Sequence, residues 1–142
     1  MRQLALLIAL IAAAPAWAGG NETSFPAAPD GTVQFVTPSG NIGCLYMPAG
    51  GTATYATLSG QEELHCTRVA PTYTVVILDH AQDHPAAIAS GEVPGLDAGP
   101  VLPYGRFWQH GGFTCLSATS GLTCINSTGA GLRMARAGVT TW

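Results

Sequence analysis

Four side chains within residues 78–85, LDHAQDHP, are of types that bind metal ions. Asp79 and Asp83, like His80 and His84, are four residues apart, so each pair would share one face of a helix. Neutral imidazoles and carboxylates with one open position suit Zn²⁺ and a metal-dependent hydrolase. However, the proline that follows His84 disfavours helical backbone at that histidine. We therefore favour a solvated polar loop and predict no metal ligand, keeping the hydrolase as the alternative.

The densest group of aromatic and polar side chains is YGRFWQH, residues 104–110. Alternation along a strand would place Arg106, Trp108 and His110 on one face, with Phe107 turned inward. An arginine beside an exposed tryptophan suits sugars, carboxylates or a protein interface. The opposing interpretation is that Trp108 belongs to the core. We predict a binding face made of Tyr104, Arg106, Trp108 and His110.

Other reactive residue types lack the neighbours that catalysis requires. Ser39 lies in the turn-like Pro-Ser-Gly-Asn without the Gly-x-Ser-x-Gly elbow of hydrolases. Glu62 and Glu63 are adjacent, so on a strand their carboxylates would point to opposite faces. The glycine-rich residues 127–131 follow a strand-like run without a helical pattern after them, which argues against a phosphate loop. The sequence therefore predicts no catalytic residue and no cofactor.

Four cysteines in an exported chain are most simply two disulfides, with three possible pairings. Cys115 and Cys124 flank the turn-like residues 118–121, so a hairpin would place them directly opposite each other. Cys44 and Cys66 would be joined by a second, longer hairpin. Neither spacing is Cys-x-x-Cys, and an oxidising compartment disfavours a free thiol, so a zinc site or a nucleophilic thiol is the weaker alternative.

The first eighteen residues have the pattern of a secretory signal peptide. An arginine near the start precedes an apolar run over residues 4–14, and Ala-Trp-Ala at 16–18 is a small-x-small cleavage site. The run is shorter than the roughly 20 residues of a spanning helix. We predict a signal peptide over 1–18, a flexible leader over 19–31, a single domain over 32–142, no membrane span after cleavage, and a periplasmic or secreted location.

The charge balance argues against a nucleic-acid partner. The chain has five basic residues, all arginine, against eight acidic ones, for a formal net charge of −3. Binding to phosphate-rich polymers depends on clustered cations, which this composition does not supply.

From residue 32 onward, short strand-like runs alternate with glycine and proline. We predict strands over 32–37, 42–47, 63–69, 73–78, 112–117, 122–126, 131–136 and 139–142. Residues 79–105 are rich in proline and glycine and predict a long loop with at most one short helix near 85–90. The fold class is all-β: a small disulfide-stabilised sandwich or barrel of about seven or eight short antiparallel strands.

Three motifs together resemble a family of small exported bacterial proteins that share a domain of unknown function. They are PSGNIxC at residues 38–44, LPYG at 102–105, and CxSxxxGLxCxNxTGxG at 115–131. The chain departs from the family in two respects: it lacks a further cysteine pair in its middle, and Leu132 and Trp142 occupy a region that is aromatic-rich in the family. The resemblance implies an exported, disulfide-bonded β domain, and it implies no activity, cofactor or catalytic residue.

Together these observations predict a non-enzymatic module that binds an envelope glycan or a protein. The alternatives are the metal-dependent hydrolase of residues 79–84 and a purely structural role.

Overall fold

A computed structural model of the chain describes residues 21–89 and 99–142, which contain eleven strands and no helix. The strands are β1 (Asn21–Glu22), β2 (Val33–Val36), β3 (Ile42–Met47), β4 (Glu63–Arg68), β5 (Thr74–Asp79), β6 (Ala87–Ala89), β7 (Arg106–His110), β8 (Phe113–Ala118), β9 (Gly121–Ile125), β10 (Gly131–Ala135) and β11 (Gly138–Thr141). None of the described residues form a helix that could span a lipid bilayer.

The strands form two sheets that pack as a sandwich. The five-stranded sheet has the order β2-β3-β4-β5-β6, and each of its neighbours is antiparallel. The six-stranded sheet has the order β1-β7-β8-β9-β10-β11, in which β1 pairs in parallel with β7 and all other pairs are antiparallel. A bridge between Val36 and Val101 joins the end of β2 to the segment that leads into β7.

Alternation along the strands fills the space between the sheets with apolar side chains. In β8, for example, Phe113, Cys115 and Ser117 are buried and the residues between them are only partly so. The Phe35 ring of one sheet lies 5.1 Å from the Trp108 ring of the other. Burial of the apolar side chains of this core, at about 25 cal/mol per Å² of apolar surface, is the dominant favourable contribution to the stability of the sandwich.

Both predicted disulfides are confirmed. Cys44 bonds to Cys66 across β3 and β4, and Cys115 bonds to Cys124 across β8 and β9. Each cysteine is directly opposite its partner in the strand register, as the hairpin interpretation required. All four lie in the core between the sheets.

The all-β prediction is confirmed as a sandwich, with more strands than expected. Each of the eight predicted strand runs overlaps an observed strand, and the three additional strands are β1, β6 and β7. The sequence leaves room for at most one short helix near residues 85–90, and over the described part of that range the structure has a strand, because Ala87–Ala89 pairs with the edge of β5. The parallel β1–β7 pair also departs from the expected antiparallel arrangement.

The described part of the predicted leader, residues 21–31, contacts the domain. β1 pairs with β7, and the Phe25 ring stacks on Phe35 at 5.7 Å. The predicted signal peptide, residues 1–18, lies outside the described residues.

Most of the described charged residues lie toward the two ends of the sandwich. One end, which we call the arginine end, contains the turns β2–β3, β4–β5, β8–β9 and β10–β11. The opposite end, which we call the acidic end, contains the connections β3–β4, β5–β6, β7–β8 and β9–β10. Three of the described arginines lie at the arginine end: Arg68, Arg106 and Arg136. Five of the described acidic residues lie at the acidic end: Asp30, Glu62, Glu63, Asp79 and Asp83. The exception is Glu22, which pairs with Phe107 next to Arg106.

Candidate functional site

The four residues of the predicted binding face do not form one surface. Trp108 is only 2% exposed, because the five-stranded sheet covers the inward face of β7, so the expectation of an exposed tryptophan is wrong. Phe107, expected to turn inward, is partly exposed. The strand separates the rest: Tyr104 and Arg106 lie at the arginine end, and His110 lies at the acidic end.

Tyr104 instead belongs to a cleft of about 210 Å³ at the arginine end, which we call the arginine-end cleft. Its ring is 44% exposed. The lining residues come from both sheets: Thr37, Ser39, Asn41, Ile42, Tyr104, Ala118, Thr119, Ser120, Gly121, Ala135 and Arg136. The cleft thus combines an aromatic ring, a guanidinium and several hydroxyl groups.

One wall of the cleft is the β2–β3 turn (residues 37–41), the predicted PSGN turn. Ser39 Oγ accepts a hydrogen bond of 3.2 Å from the Asn41 backbone amide. The Asn41 side chain accepts a bond of 2.8 Å from the Ala70 amide and donates one of 2.9 Å to the Ala70 carbonyl. The PSGN motif is therefore used for turn geometry, and it fixes the neighbouring β4–β5 connection.

Sequence reasoning missed Arg136 because it lies 32 positions from Tyr104 and carries no motif. Its exposed guanidinium makes no ion pair with any described acid. Arg133, in the middle of β10, donates a hydrogen bond of 3.3 Å to the carbonyl of Ser120, a lining residue. Arg106 is exposed but is not among the lining residues.

Arg68, also at the arginine end, forms hydrogen bonds within the protein. It is buried, and its Nη1 donates a hydrogen bond of 2.9 Å to the Ala135 carbonyl in the opposite sheet. Its other guanidinium nitrogens donate to the Thr72 carbonyl and the Thr74 hydroxyl. Arg68 therefore joins the two sheets next to the cleft, and its guanidinium is not free for a ligand.

A second polar cluster lies at the acidic end. The buried Tyr46 hydroxyl donates a hydrogen bond of 2.5 Å to Glu62 Oε1. Glu62 Oε2 lies 3.5 Å from His80 Nδ1, and that nitrogen has no hydrogen-bond partner. The His110 ring meets the Tyr46 ring edge to face, 4.5 Å between centroids. Burial, and then the Glu62 carboxylate, raise the pKa of Tyr46 far above its ordinary value, so the phenol is a donor at all physiological pH values.

The candidate metal-binding residues of the alternative hydrolase, in the 79–84 loop, do not converge. Residues 80–86 are not helical, so the two pairs share no helical face. The exposed His84 ring faces Asp83 at 3.6 Å, whereas His80 faces Glu62. Among the described residues, the one group of three potential ligands close enough for a metal consists of Cys44, Cys66 and Cys124, which are already disulfide-bonded. The described geometry therefore gives no support to the metal-dependent hydrolase.

Asp79, the first residue of that loop, binds the loop backbone. Burial alone would raise the pKa of the Asp79 carboxyl. Hydrogen bonds from the Ala81 amide, the Ser59 side chain and the Gln82 backbone, together with the nearby His80, outweigh burial and hold this pKa below its ordinary value. The carboxylate is therefore occupied in shaping the loop.

Hydrogen bonds from the β9–β10 turn of the six-stranded sheet hold the 79–84 loop, which follows the five-stranded sheet's β5. The Asn126 side-chain amide donates to the carbonyls of Asp79 at 2.9 Å and Gln82 at 2.8 Å. Ser127 donates to the His80 carbonyl, and the Thr128 hydroxyl donates to the Gln82 carbonyl. The three residues that make this contact are consecutive in the NxTG part of the third motif, which carries no sequence signal that points to the 79–84 loop.

Glu62 and Glu63 point to opposite faces of the sheet, as expected from their adjacency. Whereas Glu62 accepts from Tyr46, the buried Glu63 lies 2.7 Å from His65 Nε2 and accepts a bond of 2.7 Å from the Ser59 amide. A shallow groove of about 430 Å³ lies beside Glu63, between Leu58 and Ala87. Both carboxylate oxygens of Glu63 therefore already have hydrogen-bond partners within the protein.

The fold and its cross-links define a small, disulfide-bonded, all-β sandwich, a class typical of oxidising compartments outside the cytoplasm. A scan against protein-family models and searches of curated proteins and of solved structures found no match. The arginine-end cleft, with its aromatic ring, guanidinium and hydroxyl groups, is the candidate functional site of the chain.

Proposed function

We propose that the protein is an exported, non-enzymatic binding domain that holds a glycan component of the cell envelope in its arginine-end cleft. The observation that carries the proposal is that the exposed Tyr104 and Arg136, which has no ion-pair partner among the described acidic residues, line one cleft together with hydroxyl groups. Two disulfides support an oxidising environment, and the sequence pattern of a signal peptide supports a location in the periplasm or the medium.

The lining chemistry matches the needs of a sugar. Sugar rings present apolar C–H faces that pack on an aromatic side chain, and their hydroxyl groups need donors and acceptors at fixed positions. The side chains of Ser39, Thr119 and Ser120 are exposed at the cleft and supply both. A guanidinium adds donors in a rigid planar arrangement.

The same residues argue against catalysis in this cleft. Nucleophilic catalysis by a serine needs a base within hydrogen-bond distance. No histidine, aspartate or glutamate is among the described lining residues, and Ser39 Oγ contacts Thr37 Oγ1 at 3.3 Å and the Asn41 amide. Binding without reaction is therefore the simplest function for the cleft.

The test is to titrate the mature protein, residues 19–142, with a panel of envelope oligosaccharides, following backbone amide signals by NMR. We expect residues at the arginine end to shift and Tyr104→Ala and Arg136→Gln each to weaken binding by about tenfold. Arg106→Gln is the matched control, because it removes an exposed arginine from the same end without altering the lining, and its affinity should stay within about twofold of the parent.

Binding that is equally strong in Tyr104→Ala and Arg136→Gln would exclude the cleft as the site. Signals that move only at the acidic end would likewise reject the proposal. Thermal unfolding gives an independent readout, because a ligand at a hundredfold excess over its Kd stabilises the folded state by about 2.7 kcal/mol.

A further inference from the structure

We infer that the ligand of the arginine-end cleft carries an anionic group, a carboxylate or a phosphate, on a hydroxylated ring. This inference rests on the proposed function and names the chemical class of its ligand. It follows from how charge is distributed over the described part of the chain.

No acidic residue is among the described residues that line the cleft. Arg136 supplies a guanidinium without a described acidic partner, and Arg133 binds the Ser120 carbonyl on the outer side of the cleft wall. Guanidinium groups bind carboxylate and phosphate through paired, charge-assisted hydrogen bonds. The described residues that line the cleft therefore give it a positive local field through Arg136, although the whole chain is negative, and Glu22, which pairs with Phe107, is not a lining residue.

The acidic end lies too far away to cancel this field. The strands between the two ends contain five or six residues in β3, β4, β5, β8, β9 and β10. At about 3.3 Å per residue they separate the ends by roughly 16 to 20 Å. Since the Debye length is about 8 Å at physiological ionic strength, carboxylates such as Glu62 and Asp79 have little effect on a ligand in the cleft.

Selectivity for an anionic over a neutral ligand follows from the desolvation of the Arg136 guanidinium on binding. A neutral sugar that covers Arg136 removes water from the guanidinium and returns only neutral hydrogen bonds, whereas an anionic sugar returns a charge-assisted pair. Tyr104 contributes to both complexes equally, because its ring packs on the sugar face and carries no charge. We therefore expect the preference for anionic over neutral ligands to depend on Arg136, and the affinity for both kinds of ligand to depend on Tyr104.

The experiment compares charged and uncharged forms of the same ring on the mature protein. The probes are trigalacturonic acid against its methyl ester, and glucose 6-phosphate against glucose, each followed by NMR and calorimetry. We expect at least one anionic probe to bind about tenfold more tightly than its neutral partner at low salt. The preference should shrink as the Debye length falls from about 30 Å at 0.01 M salt to about 8 Å at 0.15 M. Which anionic probe binds distinguishes a carboxylate from a phosphate source.

Variants separate this inference from the proposed function. Arg136→Gln should abolish the preference for the anionic probe while binding of the neutral probe persists, and Arg106→Gln should leave both unchanged. Equal binding of charged and neutral probes would overturn the anionic inference and leave the glycan-binding proposal standing. A preference that survives in Arg136→Gln would overturn the assignment to this residue. Absence of binding by all four probes and by the envelope oligosaccharides would overturn both.

Discussion

The sulfur atoms of Cys66 and Cys124 lie within 4.8 Å of each other, although the two residues belong to different sheets and different disulfides. Each disulfide cross-links the central hairpin of its own sheet, and both point into the space between the sheets. Both cysteines are completely buried. The two covalent cross-links therefore meet in the middle of the core, where they also pack as apolar side chains.

Removal of either disulfide should destabilise the domain, with the longer loop having the larger effect. The bonds span sequence separations of 22 and 9 residues. Loop-closure entropy then assigns roughly 3.4 kcal/mol to Cys44–Cys66 and 2.7 kcal/mol to Cys115–Cys124. Urea unfolding of the Cys44→Ala/Cys66→Ala and Cys115→Ala/Cys124→Ala variants measures both values. The reverse order would show that packing in the core outweighs loop closure.

Asn126→Ala should loosen the 79–84 loop. The change leaves the carbonyls of Asp79 and Gln82 without the amide that now donates to both, and Asn126 is only 3% exposed. We expect a loss of about 2 to 3 kcal/mol in the free energy of unfolding, together with faster amide exchange in the loop. Ser127→Ala is the matched control, because its bond to the His80 carbonyl is exposed and should contribute about 1 kcal/mol or less. Similar effects of the two variants would contradict this account.

The strands, the disulfides and the central turns could be predicted because their signals are local. Alternation marks Val33–Val36 and Phe113–Ala118, and the turn-forming residues 118–121 place Cys115 opposite Cys124. β6 and β1 could not be predicted this way. Both are three residues or shorter and exist because the edges of β5 and β7 offer unpaired backbone groups.

The candidate site was only half predictable, because Tyr104 and Arg136 lie in segments next to different strands of the finished sandwich, before β7 and after β10. Tyr104 carried a signal in its neighbours, but strand alternation alone could not tell which face of β7 meets the second sheet, and Trp108 proved to be on the covered face. Arg136 had no local signal at all. Its place beside Tyr104 depends on how β10 pairs with β9 and how the two sheets pack.

Stability at high pH should depend on Tyr46. Burial and the Glu62 carboxylate raise the pKa of the Tyr46 phenol above its value in the unfolded chain. The phenol therefore contributes stability that is fully present below about pH 10, the ordinary tyrosine pKa, and is lost as pH rises toward the higher folded pKa. Urea unfolding between neutral and alkaline pH should show a steeper decline for the parent than for Tyr46→Phe. Tyr104→Phe, which alters an exposed phenol at the other end, should follow the parent, and a Tyr46→Phe curve parallel to the parent would exclude this linkage.

Gly111→Ala should destabilise the domain more than Gly40→Ala. Both glycines have positive φ, +57° and +70°, so an alanine at either position carries a similar backbone penalty of about 1 kcal/mol. At Gly40 nothing lies within 4 Å of an added Cβ, whereas at Gly111 the Cβ would lie 2.6 Å from Cε2 of the Tyr46 ring. That ring is buried against Trp108 and Phe113, so relief requires movement of the core, and we expect an additional loss of about 1 to 3 kcal/mol. Chemical denaturation measures the loss in free energy of unfolding for each variant. The difference between the two losses is the steric contribution. Equal losses would mean that the β7–β8 turn moves away from Tyr46 freely, and the Tyr46–Glu62 contact would then not depend on this turn.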